Sequence, residues 1–100
     1  MARAAAPHTT GIEIAFVEQD GTPWGVNLPL TPRWHLTKIP ISDLKHYAHW
    51  RSGPPGRGQA GDRLRPERIE AVSVCFGAWL FPDHRDEEHA VDIEYIGLCP

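Results

Sequence analysis

Apolar and polar residues alternate along residues 12–18, Ile-Glu-Ile-Ala-Phe-Val-Glu. A period of two predicts a strand with Ile12, Ile14 and Phe16 on one face. Asp20-Gly21 follows, and because glycine accepts positive φ this pair predicts a turn. Alternation resumes over residues 24–30, Trp-Gly-Val-Asn-Leu-Pro-Leu, so the two segments predict a hairpin. Trp24 shares parity with Val26 and Leu28 and is expected in the core. Pro29 and Pro32 close the second strand, since proline has no N–H to give to a ladder. Residues 34–41 predict a third strand, with Trp34 in the core and Pro40 placing its far end at a sheet edge or on the way out of the sheet.

Ser42-Asp43 is a capping signal for a short helix running through Leu44 and Tyr47 to Trp50. Two turns survive by packing rather than by propensity. Residues 52–62 are rich in glycine and proline and predict a loop; residues 63–68 connect it to the longest apolar run, residues 69–81. In that run Val72, Val74, Phe76, Ala78 and Leu80 share one face, and Ser73, Cys75, Gly77 and Trp79 share the other. Residues 82–89 make a charged turn, and residues 90–98 predict a last strand that closes a hairpin with residues 69–81. Five strands, one short helix and no crossover helices predict an all-β fold, an antiparallel β-sandwich. Residues 1–11 are alanine-rich and are expected to be a disordered lead-in, leaving residues 12–100 as a single β-sandwich domain.

Composition narrows the field only slightly. Hydrophobic residues make up 41% and charged residues 23% of the 100 residues, as in soluble globular chains, and this length allows one domain. No apolar stretch approaches the roughly 20 residues of a membrane helix. Residues 1–11 lack the apolar core of a secretory signal. A net charge of −3 offers no general attraction for nucleic acid. Cys75 and Cys99 both lie in apolar strand-like runs and read as buried thiols.

Several motifs lose to plainer accounts. Gly56-Arg57-Gly58-Gln59-Ala60-Gly61 fits G-x-G-x-x-G, but prolines on both sides deny it the strand and helix that a dinucleotide site needs. Arg51, Arg57, Arg63, Arg65 and Arg68 read as a solvated loop, with an anionic-sugar contact as the alternative. His46 and His49 would share a helix face, and His84 and His89 flank an acidic turn, yet neither pair has the spacing of a known zinc motif. No G-x-S-x-G elbow is present, so catalysis is not expected.

The aromatic residues say more. Trp79 falls on the face opposite the Val72, Val74 and Phe76 stripe, beside the small residues Ser73, Cys75 and Gly77. Either residues 47–62 fold over that face, with Tyr47 and Trp50 as the filling, or those two rings extend an aromatic platform. Sugar rings stack on such platforms while polar groups at the rim set their orientation. Trp79, Tyr47 and Trp50 are the candidate stacking residues, with His49 and Arg51 as polar partners.

Three blocks carry a likeness. WHLTKIPISDL at residues 34–44, LRPERIEAVSVCFG at residues 64–77 and VDIEYIGL at residues 91–98 resemble, in order and spacing, segments of galactose-binding-like jelly-roll modules attached to glycoside hydrolases. Residues 12–30 look like the central hairpin of the same modules. The resemblance implies a jelly-roll fold and a non-catalytic carbohydrate-binding or accessory role, with a poly- or oligosaccharide and an adjacent catalytic domain as partners and a secreted or periplasmic parent. Such modules often hold calcium near a closing acidic pair. Glu94 and Tyr95 stand at that place here, and the tyrosine takes away a hard oxygen ligand, so neither calcium nor any other cofactor is expected. A jelly roll needs about eight strands. Five imply a domain lacking its N-terminal strands, with an exposed sheet edge prone to self-association. Two other readings stand beside this one: a structural domain bracing a catalytic partner, and a small metal-dependent β-barrel enzyme using two of His35, His46, His49, His84 and His89.

Overall fold

In the computed structural model, which describes residues 1–51, 53–76, 80–81, 83–84 and 87–97, strand follows strand, and the only helical pieces among the described residues are two single 3-10 turns. The fold is all-β and antiparallel. Among the described residues six strands occur: β1 (Ala2–Ala4), β2 (Gly11–Glu18), β3 (Pro23–Pro29), β4 (Lys45–His46), β5 (Ile69–Cys75) and β6 (Val91–Ile93). They form a four-stranded sheet in the order β4-β3-β2-β5 and a two-stranded sheet of β1 with β6. The chain divides into two compact units, one of Met1–Ile12, Leu28–Lys38 and Phe76–Pro100, the other of Glu13–Asn27 and Ile39–Cys75. No helix among the described residues is long and apolar enough to cross a membrane.

The hairpin is where alternation and turn chemistry place it. Gly21 takes a φ of +89°, its N–H bonds the Glu18 carbonyl, and Asp20 accepts the Thr22 N–H at 3.0 Å. β2 is an inner strand, so burial reaches both of its faces. Ile12, Glu13, Ile14 and Ala15 are all buried. On one face of the larger sheet, Trp24, Leu44 and Leu64 form a core that Phe16, Val26, Ile39, Ile41 and Ile69 complete. β5 pairs antiparallel with β2 from Glu13–Cys75 to Glu18–Ile69, with a bulge at Val17–Glu18.

Elsewhere the fold departs from the expectations. The helix over residues 42–50 is absent. A 3-10 turn at Ile41–Asp43 ends at Leu44, whose extended backbone leads into β4, and Lys45 and His46 pair with Gly25 and Trp24. Ladder bonds and the burial of Leu44 and Tyr47 outweigh the weak propensity of a two-turn helix. In place of the expected strand over residues 34–41, the pairing is a single bridge between His35 and Ala2, and Ile41 opens the 3-10 turn. Trp34 is not core but 44% exposed, with the Arg3 guanidinium 4.8 Å above its ring, a contact that suits an exposed indole. The expected last hairpin is replaced as well, because β6 pairs with β1 rather than with β5. The segment expected to be a disordered lead-in therefore supplies a strand, held by Arg3 on Asp92 at 2.8 Å and by the buried Ala2. On β5 the stripe of Val72 and Val74 is exposed, as is Phe76 after it. Cys75 is a half-buried free thiol; Cys99 lies outside the described residues.

Candidate functional site

The sheet face opposite the Trp24 core carries Glu13 on β2 and Gly25 and Asn27 on β3. Gly25 matters for what it lacks. A Cβ there would stand 2.5 Å from the Tyr47 ring and 2.7 Å from the Ile14 carbonyl oxygen, so only glycine lets the tyrosine lie flat on the strand. Tyr47 follows β4 directly, its N–H bonds the Pro23 carbonyl, and its hydroxyl donates to Asn27 Oδ1 at 2.9 Å. The ring is thus buried, and burial together with the charge of Glu13 pushes its hydroxyl up to about 12.

A tight turn from Tyr47 to Trp50, closed by the Trp50 N–H on the Tyr47 carbonyl, then gathers three rings. The Tyr47 and His49 centroids are 4.6 Å apart, Tyr47 and Trp50 5.5 Å, and His49 and Trp50 6.4 Å in an edge-on contact. His49 is half exposed, yet its Nε2 donates to Oε2 of Glu13, a side chain 1% exposed, at 3.1 Å. The other oxygen, Glu13 Oε1, is buried without a hydrogen-bond partner among the described residues. A buried carboxylate is costly unless it is paired, so this pairing ties the turn to the sheet and fixes the plane of an outward imidazole.

Of the five residues singled out from sequence, the structure brings Tyr47, His49 and Trp50 together. Tyr47 forms the floor, while His49 and the half-buried Trp50 meet solvent. Arg51 is exposed and its guanidinium lies over the Gly21 turn. Trp79 lies outside the described residues. Sequence reasoning missed Glu13, which in an alternating strand has the look of a solvent-facing residue. The pairing of His46 with His49 on a helix face does not occur. His46 sits in β4 beside Trp24, at 5.6 Å between centroids.

Beneath the following loop lies an ionic knot. Arg57 is not solvated; its side chain is 9% exposed. Nε donates to Asp62 at 2.9 Å, Nη1 to Asp20, and Nη2 to the fully buried Glu18 at 2.6 Å. Glu18 Oε2 also accepts the Trp24 indole N–H at 2.7 Å. One planar fork thus satisfies three carboxylates, a geometry open to arginine and closed to lysine. Gly58, at φ +78°, packs so closely on the His46 ring that no side chain fits. The three glycines of the G-x-G-x-x-G run all take positive φ, and the loop they shape carries the buried arginine.

The knot predicts acid sensitivity. Hydrogen bonds from Thr22, joined by Arg57, hold the Asp20 carboxyl down at about 2, and Arg57 and the Gly58 N–H hold Asp62 well below the usual carboxylate range. Groups depressed in the folded state stabilise it fully above their unfolded values, near 4, and lose that contribution as pH falls through the folded ones. Thermal melting should be level from about pH 7 to 5 and fall steeply between about pH 4 and 2. The variant Arg57→Met should show a shallower fall; equal slopes would contradict the assignment.

In the first unit, His8, His84 and Glu87 form a second cluster. The two imidazoles stack with centroids 3.7 Å apart and planes 6° from parallel. Each ring meets Glu87 through Nδ1, His84 at 3.0 Å on Oε1 and His8 on Oε2. His89, one of the histidines considered as a ligand, is engaged otherwise: its ring stacks on Phe81 at 3.9 Å, and both of its nitrogens are bonded.

Comparison of the chain with family models, curated proteins and solved structures finds no match.

Proposed function

We propose that this chain is a non-catalytic carbohydrate-binding module, of the galactose-binding-like jelly-roll kind that its segments resemble, and that it holds a poly- or oligosaccharide at the turn of residues 47–50. The observation that carries the reading is the fixed aromatic turn. Tyr47 is locked on the sheet by Gly25 and Asn27, His49 by Glu13, and Trp50 by its ring contacts. A glycan pays heavily for ordering flexible partners, so a site assembled beforehand keeps more of its contact energy. The half-buried indole offers a face to the C–H side of a sugar ring, and His49 with Arg51 supplies the polar rim that orients hydroxyls. Affinity electrophoresis of the full chain through gels carrying a panel of neutral and acidic polysaccharides tests this. Retardation in at least one gel is expected; unhindered migration in all of them would overturn it.

A second reading, a structural domain bracing a catalytic partner or a second copy, is favoured by exposed Val72, Val74 and Phe76 on and just after the edge strand β5. Apolar edges of this kind invite pairing. Sedimentation should show concentration-dependent association that Val74→Lys reduces. A strictly monomeric wild type would set this reading aside.

A further inference from the structure

We propose that His8, His84 and Glu87 form a binding site for a divalent transition cation of the zinc class. Their ligand atoms, two imidazole nitrogens and a carboxylate oxygen, all lie within 4.8 Å of one another. The two imidazoles lie side by side, with centroids 3.7 Å apart, and both present Nδ1 to the carboxylate. The donor types match as well. Imidazole suits zinc and its neighbours, whereas calcium and magnesium want oxygen throughout. Three protein ligands leave a fourth position to solvent, and His8 and Glu87 are both exposed.

The surroundings of the cluster are built. Thr9, next to His8, is buried. Its hydroxyl accepts the Ala90 N–H at 3.1 Å and meets His89 Nδ1 at 2.9 Å, while His89 Nε2 reaches the His84 carbonyl oxygen at 2.9 Å. A carbonyl only accepts, so Nε2 carries a proton; in the neutral ring Nδ1 is then the acceptor and the Thr9 hydroxyl donates to it. This relay joins the backbone beside one ligand to the backbone of another across some eighty positions of sequence, and it holds His8 and His84 in register.

The alternative is two imidazoles sharing a carboxylate with no affinity for metal. Isothermal titration of the full chain with zinc chloride, paired with the visible spectrum of the cobalt(II) form, separates the two. One equivalent should bind, with the intense visible bands of a four-coordinate cobalt site. His84→Ala and Glu87→Gln should each abolish that stoichiometric binding, while His35→Ala, which alters an exposed histidine outside the cluster, should leave it intact. Far-UV circular dichroism of each variant confirms that it is folded. No binding by the wild type, or one-equivalent binding that survives both His84→Ala and Glu87→Gln, would overturn the proposal.

Discussion

Replacing Arg57 by alanine should cost about 3–5 kcal/mol of folding stability, the range found when one member of a buried ion pair is removed. The loss comes less from the attraction forgone than from what stays behind. Glu18 is fully buried, and without the guanidinium its carboxylate keeps, among the described residues, only the Trp24 indole N–H. Asp20 and Asp62 are more exposed and can turn to water, so they contribute less. Arg57→Lys should recover only part of the loss, since an ammonium cannot serve three carboxylates in one plane. For a domain of this size each kcal/mol moves the melting temperature by about 4–8 °C, so the alanine variant should melt at least about 12 °C lower. A shift under about 4 °C would mean that Glu18 is relieved in some other way.

The second large effect concerns binding. Trp50→Ala should weaken glycan affinity by about 30-fold or more, the loss of about 2 kcal/mol typical of a central aromatic anchor. Stability should change little, because Trp50 is only half-buried and stands outside the Trp24, Leu44 and Leu64 core. His49→Ala should cost less binding but more stability, since it strands the buried Glu13. An unaltered affinity in Trp50→Ala would place the glycan elsewhere.

What could be read from the sequence follows the range of the interactions involved. The β2–β3 hairpin was legible because alternation and an Asp-Gly turn are local signals that agree. The aromatic turn was legible as a composition, Tyr47 to Trp50, but not as a shape, since a helix cap at Ser42-Asp43 pointed one way and pairing with β3 won. Glu13 was hidden because its burial comes from neighbours on both sides of β2, which alternation alone cannot reveal. His8 was hidden for a related reason. It stands 79 positions from Glu87, in a segment whose alanines suggested no structure until β6 paired with it. Arg57 sat in a glycine-rich loop that looked solvated; its burial depends on Glu18 and Asp20, which stand 39 and 37 positions away, while Gly56, Gly58 and Gly61 serve the loop's positive φ.

The most direct measurement is to follow the four indole N–H resonances of the 15N-labelled protein while adding an oligosaccharide from the polysaccharide that retards it most. The Trp24 indole N–H is buried on Glu18 and provides an internal reference. If the turn of residues 47–50 is the glycan site, the Trp50 resonance moves in a saturable way and the Trp24 resonance stays in place. A saturating titration in which the Trp50 resonance does not move would contradict the account.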